Sequence, residues 1–170
     1  MQSTNLVERA SLYFLLPDDL GVIEIPSDIL AYLETHQQKS FFSKEAGGQL
    51  FWQWTEDGYQ KITSITGPRP TDKRGRNFYQ PDHRQESIEI DEHYERGHYF
   101  LGDWHTHPER IAKPSPDDIK RIKELYKGAE NRGEGFLLII VGTIEIEKSI
   151  TVLFCNIEAA TLEPYDPTYN

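Results

Sequence analysis

The residues best suited to chemistry in this chain lie between Gly102 and Asp118, in the run GDWHTHPERIAKPSPDD. Side chains two apart in an extended strand point the same way, so His105 and His107 face one point in space. Two imidazole nitrogens at about 2 Å would fill half of a tetrahedral zinc shell. The loop that follows, punctuated by Pro108 and Pro114, can return the chain to a helix starting at Ser115-Pro116. Serine is a strong N-cap and proline suits the first helical position. Asp118 then falls in the first turn and can supply a third, oxygen ligand. Two histidines and one carboxylate leave a fourth position for water, which separates a catalytic zinc site from a closed structural one. Ser115 and Asp118 also match a capping box, which alone could explain both residues. The upstream histidines favour the ligand reading of Asp118, and Ser115 can cap the helix and face the site at once.

A water activated at such a site needs a base that is not itself a ligand. Glu45 is the candidate, because it stands just ahead of Gly47-Gly48 at the entry to a core strand. The glycines let the backbone approach closely and the sheet would hold the carboxylate rigidly. Glu34, Glu56 and Glu86 compete with it on sequence alone.

The elements that must position these residues alternate between strand and helix. Residues 12–16 and 22–25 read as short strands, followed by an amphipathic helix from Ser27, as N-cap, to about Gln38. Gln49–Trp54 and Tyr59–Thr66, around Glu56-Asp57-Gly58, read as a β-hairpin. Residues 67–81 carry glycines, prolines and charges without an apolar period and predict a long loop. A charged helix over about 82–96, a strand over Tyr99–His105 and the helix from Ser115 follow. Phe136–Val141 and Ile150–Phe154 are interior strands separated by a charged turn. The expected fold is α/β, an α+β sandwich with a mixed β-sheet flanked by helices, in one domain over residues 1–170.

Composition narrows the function classes. Hydrophobic residues make up 37% and aromatics 12%, ordinary for a folded protein. The formal net charge is -10, from 18 basic and 28 acidic residues, a field that repels phosphate backbones and argues against nucleic-acid binding. No run approaches the roughly 20 apolar residues of a membrane span. The opening MQSTNLVERASLYFLL has its apolar stretch too late and too interrupted by charge for a secretory signal, so a cytoplasmic protein is expected. The single cysteine, Cys155, excludes an internal disulfide and any multi-cysteine metal site. His36, His83, His93 and His98 have no ligand spacing. Arg69, Lys73, Arg74, Arg76 and Arg84 cluster against the overall charge. Their default role is a solvated surface, and the functional alternative has Arg69, Arg74 and Arg76 contacting an acidic substrate. Trp104 reads as core or as pocket wall beside them.

The spacing of His105, His107 and Asp118, with Ser115 three residues before the aspartate and EAGGQL at Glu45, resembles the JAMM (MPN+) metalloproteases. The likeness runs from about residue 43 to 155. It implies a zinc isopeptidase with one Zn2+ per chain, Glu45 as general base and acid, and Ser115 helping to hold the oxyanion. GGQLF, the GPRP loop and GDWHTHP look closer to bacterial JAB-domain proteins found beside E1- and E2-like enzymes in anti-phage operons, including CBASS. That likeness implies a deconjugase cutting an amide at the C-terminus of a conjugated protein, with an E1/E2-like enzyme as possible partner. Trp52 departs from the broad family, where many members have glycine. The alternatives are a JAB peptidase acting on a sulfur-carrier protein or other small substrate, and a non-catalytic MPN-type scaffold. The intact ligand set counts against the scaffold. Other H-x-H families fit poorly: Pro108-Glu109-Arg110 replaces the Asp-His of metallo-β-lactamases, and amidohydrolase barrels need about 250 residues.

Overall fold

The run Phe136–Val141 is buried at every residue, as a strand covered on both faces must be, and it lies near the middle of the sheet. A computed structural model describes residues 9–56, 60–130 and 133–169. The chain runs β1 (Leu12–Leu15), β2 (Val22–Ile25), α1 (Ser27–Thr35), β3 (Gly47–Trp54), β4 (Gln60–Ile65), β5 (Lys73–Gly75), β6 (Phe78–Gln80) and α2 (His83–Glu95). It continues with β7 (Tyr99–Thr106), α3 (Pro116–Gly128), β8 (Phe136–Val141), α4 (Ile146–Ser149), β9 (Ile150–Cys155) and β10 (Ala159–Thr161).

Eight strands form one sheet in the order β1-β2-β4-β3-β7-β8-β9-β10, and β5 and β6 pair separately. The pairs β2–β4 and β7–β8 are parallel and the other neighbours antiparallel. A parallel pair needs a crossover, and α3 supplies it between β7 and β8. One face of the sheet packs Leu50, Trp104, Ile139 and Val152 against Ile29, Leu30 and Leu33 of α1 and Ile146 of α4. The other packs Leu138, Ile140 and Leu153 against Ile122 and Leu125 of α3. This is the expected α+β sandwich. Among the described residues no helix is long and apolar enough to cross a membrane.

Several expectations need correction. Ser27 is the first residue of α1 rather than its cap, which is Pro26, and the helix ends at Thr35 instead of running to Gln38. Gln37 and Gln38 leave the helix to bond elsewhere: the Gln37 amide donates to the carbonyls of Gly142 and Ile144. The expected loop over 67–81 contains the β5–β6 hairpin. Its order comes from outside partners rather than from an apolar period of its own. The segment between β8 and β9 includes α4, anchored by the buried Ile146. The Asp57-Gly58 turn and Tyr59 lie outside the described residues.

One irregularity shapes β7. Register with β3 slips between Leu50 and Phe51, where Gly102 pairs with Leu50 and Phe100 with Phe51. Gly102 has a φ of 147°, and a Cβ there would sit 1.9 Å from the Leu137 carbonyl oxygen. Only glycine fits this bulge. The ligand end of the strand, Asp103–Thr106, is thereby kept in register with β3 and β8.

Candidate metal centre

Strand β7 places His105 and His107 on the sheet face covered by α3, because its side chains alternate. The capping residue Ser115 fixes the start of α3: its Oγ accepts from the Asp118 N–H at 3.1 Å, and Asp118 Oδ2 accepts from the Ser115 N–H at 2.7 Å. The capping box therefore exists, and it also aims Asp118 at the histidines. His105 Nε2 lies 3.0 Å from Asp118 Oδ1, His107 Nε2 lies 3.4 Å from Asp118 Oδ2, and the two Nε2 atoms are 3.1 Å apart. Among the described residues these three form the one group of His, Cys, Asp or Glu side chains with ligand atoms close enough to hold a metal.

The donor set fits a divalent ion. Ligand bonds of about 2.0–2.1 Å in a tetrahedron put neighbouring donor atoms about 3.3 Å apart, close to the separations here. Protonation agrees. Burial, then the neighbouring His105, lowers the His107 pKa, although Asp118 and Glu109 pull it upward. Burial would raise Asp118, but the hydrogen bond and charge of His105 and the bonds from Ser115 hold its carboxyl well below the usual range. A bare imidazole nitrogen and an ionised carboxylate are the forms a metal requires.

Glu45 is brought to the same face by strand pairing. Gly47 stands opposite His105, so the antiparallel register carried two residues further sets Glu45 across from His107. Gly47 permits this approach, since a Cβ there would lie 2.8 Å from the Trp104 carbonyl oxygen. The Glu45 N–H donates to Gly75 O at 2.7 Å and its carbonyl accepts from Arg74 Nε at 2.6 Å. The side chain is buried and lies within the electrostatic reach of the Asp118 carboxylate. Burial, reinforced by the charge of Asp118 and opposed by Arg121, pushes its pKa up to about 7. Such a carboxylate can exchange a proton near neutrality.

Two residues that the sequence did not single out tie these parts together. Thr106, between the histidines, turns to the opposite face and accepts from the Ala46 N–H at 3.0 Å. Its hydroxyl donates to Gln38 Oε1 at 3.0 Å, and Gln38 Nε2 donates to Arg76 O at 2.8 Å. Both side chains are buried. The ligand strand, the strand entry that bears Glu45 and the β5–β6 hairpin thus meet at one polar hub. Asp103, two residues before His105, also went unnoticed; burial, with Glu86 adding, pushes its pKa to about 7.

The other expected site residues fall elsewhere. Trp104 alternates away from His105, is 1% exposed, and donates from Nε1 to Thr66 O, so it is core against α1 and not a pocket wall. Arg69 is buried and committed: it pairs with Glu89, bonds Gln49 and Thr66, and lies near Asp72 and Glu86. Arg74 and Arg76 brace the loop before β3, through Glu45 O and through Phe41 O at 2.6 Å. These bonds give the three arginines a structural role. His36 packs against Trp104, and His93 stacks on Phe51, consistent with their lacking ligand spacing.

A helix-capped aspartate and an H-x-H strand converge beside a buried glutamate, and together they form a candidate centre for a divalent metal. The family model described as prokaryotic homologs of the JAB domain matches residues 26–155, and the chain belongs to that family. The JAMM/MPN+ likeness read from the sequence is thereby borne out. Similar proteins include the probable metalloprotease y4qB of Sinorhizobium fredii, 30% identical over 101 residues, covering 57% of this chain and 62% of that protein. A CD-NTase/cGAS isopeptidase of Escherichia coli is 30% identical over 101 residues, covering 58% and 64%. The chain thus spans less than two thirds of these relatives' lengths. In fold it resembles the solution structure of protein DSY2949 from Desulfitobacterium hafniense, with a TM-score of 0.58, 18% identity, and 82% and 88% of the two chains covered.

Proposed function

We propose that this chain is a zinc-dependent isopeptidase that hydrolyses the amide joining the C-terminus of a conjugated protein to an amine. The observation that carries the reading is the convergence of His105, His107 and Asp118 beside a buried glutamate near neutrality. His105, His107 and Asp118 would hold the ion, which would polarise the amide carbonyl and acidify a water. Glu45 takes a proton from the attacking water and delivers it to the departing amine nitrogen. A C–O bond forms, the C–N bond breaks, and a carboxylic acid and an amine are released. The Ser115 Oγ–H donates to Asp118, and during the reaction it would turn toward the developing oxyanion. The Escherichia coli relative's name, CD-NTase/cGAS isopeptidase, supports a protein conjugate as substrate; an E1/E2-like enzyme would be its maker.

Purified protein should contain about one zinc per chain and cleave a target protein fused at its C-terminus. Glu45→Ala should retain metal and lose turnover, and a chelator should abolish both. Metal-loaded wild type that leaves a panel of C-terminal amide conjugates intact would refute the reading.

A further inference from the structure

From Tyr99 to His105, β7 runs about 20 Å, and at its far end from the metal ligands the surface opens into a groove of about 620 Å³. Its walls are aromatic. The Trp52 and Trp54 rings lie 4.7 Å apart at 69°, Trp52 and Tyr99 6.1 Å apart at 51°, and Tyr94 and Tyr99 5.9 Å apart at 76°. These side chains are not hidden: Trp54 is 62% exposed, Tyr94 66% and Tyr99 44%. Exposed aromatic area gathered at one place marks a contact surface rather than a folding requirement. Helix α2 contributes Asp91 and Tyr94 one turn apart and has no buried residue of its own, so packing does not explain its apolar side chain here.

Charge identifies the occupant. Asp91, Glu130 and Glu134 line the groove. Gln60 holds Glu134, whereas Asp91 and Glu130 are exposed. Ring faces carry negative potential and attract cations, most strongly with carboxylates nearby. A neutral apolar ligand would need no carboxylate rim, and an acidic one would be repelled by it.

We propose that this groove is a second binding site, which takes a cationic side chain, arginine or lysine, on a basic segment of a partner protein. The net charge of -10 steers such a segment toward the chain. The site is independent of the metal centre and of the reaction assigned to it.

Trp52 and Trp54 report on the groove directly, because the third tryptophan, Trp104, is buried in the core. Titration of the full chain with penta-arginine and penta-lysine should give a saturable change in tryptophan fluorescence that weakens as salt rises; penta-glutamate should give none. Asp91→Asn/Glu130→Gln changes two exposed residues and leaves every tryptophan in place. It should raise Kd about tenfold, and Tyr94→Ala about fivefold, with metal content unchanged in both. Absence of a saturable response to either cationic peptide, an equal response to penta-glutamate, or undiminished binding by the double variant would overturn the proposal. So would self-association of the wild type that Trp54→Ala abolishes, since a second copy would then cover the groove.

Discussion

Replacing Glu45 with glutamine should stabilise the metal-free protein at alkaline pH. The carboxyl has a pKa of about 7 in the fold against 4.5 when unperturbed, with burial the main cause and Asp118 the next. At 1.36 kcal/mol per pH unit this difference corresponds to about 3 kcal/mol. Because the folded value lies above the unfolded one, the folded chain holds the proton more tightly. The resulting stabilisation is complete below pH 4.5 and is lost as pH rises through about 7. Ionised Glu45 is thus a burden near pH 8, and the neutral isostere removes it. For a chain of this size about 3 kcal/mol translates into about 6–12 °C in Tm. Urea melts of chelator-treated wild type and Glu45→Gln at pH 5, 6, 7 and 8 would measure the effect, with equal m-values required for the comparison. The two proteins should converge toward pH 5, separate as pH rises to about 7, and hold a near-constant gap at pH 8. A difference below about 1 kcal/mol at pH 8 would refute the reasoning, for it would mean that the carboxylate reaches water in the fold. Adding zinc should shrink the gap, since a cation beside Glu45 favours its ionised form.

Thr106→Val keeps shape but removes the hydroxyl that joins Ala46 to Gln38, and should destabilise by about 1–3 kcal/mol in urea melts; Thr106→Ser should recover most of it. Arg69→Met leaves Glu89 and Asp72 without their buried cation and should cost about 3–5 kcal/mol, read by thermal melting, with no change in metal content. His107→Ala and Asp118→Asn should each lose zinc in elemental analysis, whereas Ser115→Ala should keep it and lose stability by about 1 kcal/mol at the α3 cap.

The convergence of the candidate metal ligands was legible because each rests on a short-range rule. Alternation puts His105 and His107 on one face, and a serine cap with proline after it fixes where Asp118 begins its helix. Glu45 was legible through the two glycines beside it. The same alternation carried the warning about Trp104, since a neighbour of His105 must face the other way, yet the site reading kept a pocket-wall role open for it. The structural partners of the arginines lie beyond any local rule. A basic cluster shows in the sequence, but its partners, Glu86 and Glu89 for Arg69 and main-chain carbonyls for Arg74 and Arg76, come from elsewhere in the chain. The β5–β6 hairpin and the Gln38–Thr106 hub were invisible on the same ground, because long-range contacts hold them and no local period does. The early end of α1 follows too, as Gln37 and Gln38 each find buried carbonyls that a longer helix would deny them.

All three ligands come from residues 105–118, one continuous strand–loop–helix passage, whereas Glu45 arrives through pairing with a strand far away in the sequence. An ion clasped by that passage ties a short loop, so its grip should be felt first by β7 and α3, and little by the β1–β2 margin. On the proposed mechanism, capture of the ion and delivery of the proton would therefore be separable inheritances. A descendant could change the residue at position 45 and become a sensor or carrier of metal in a single step. Loss of Asp118 would leave two histidines and a glutamate with nothing to act upon.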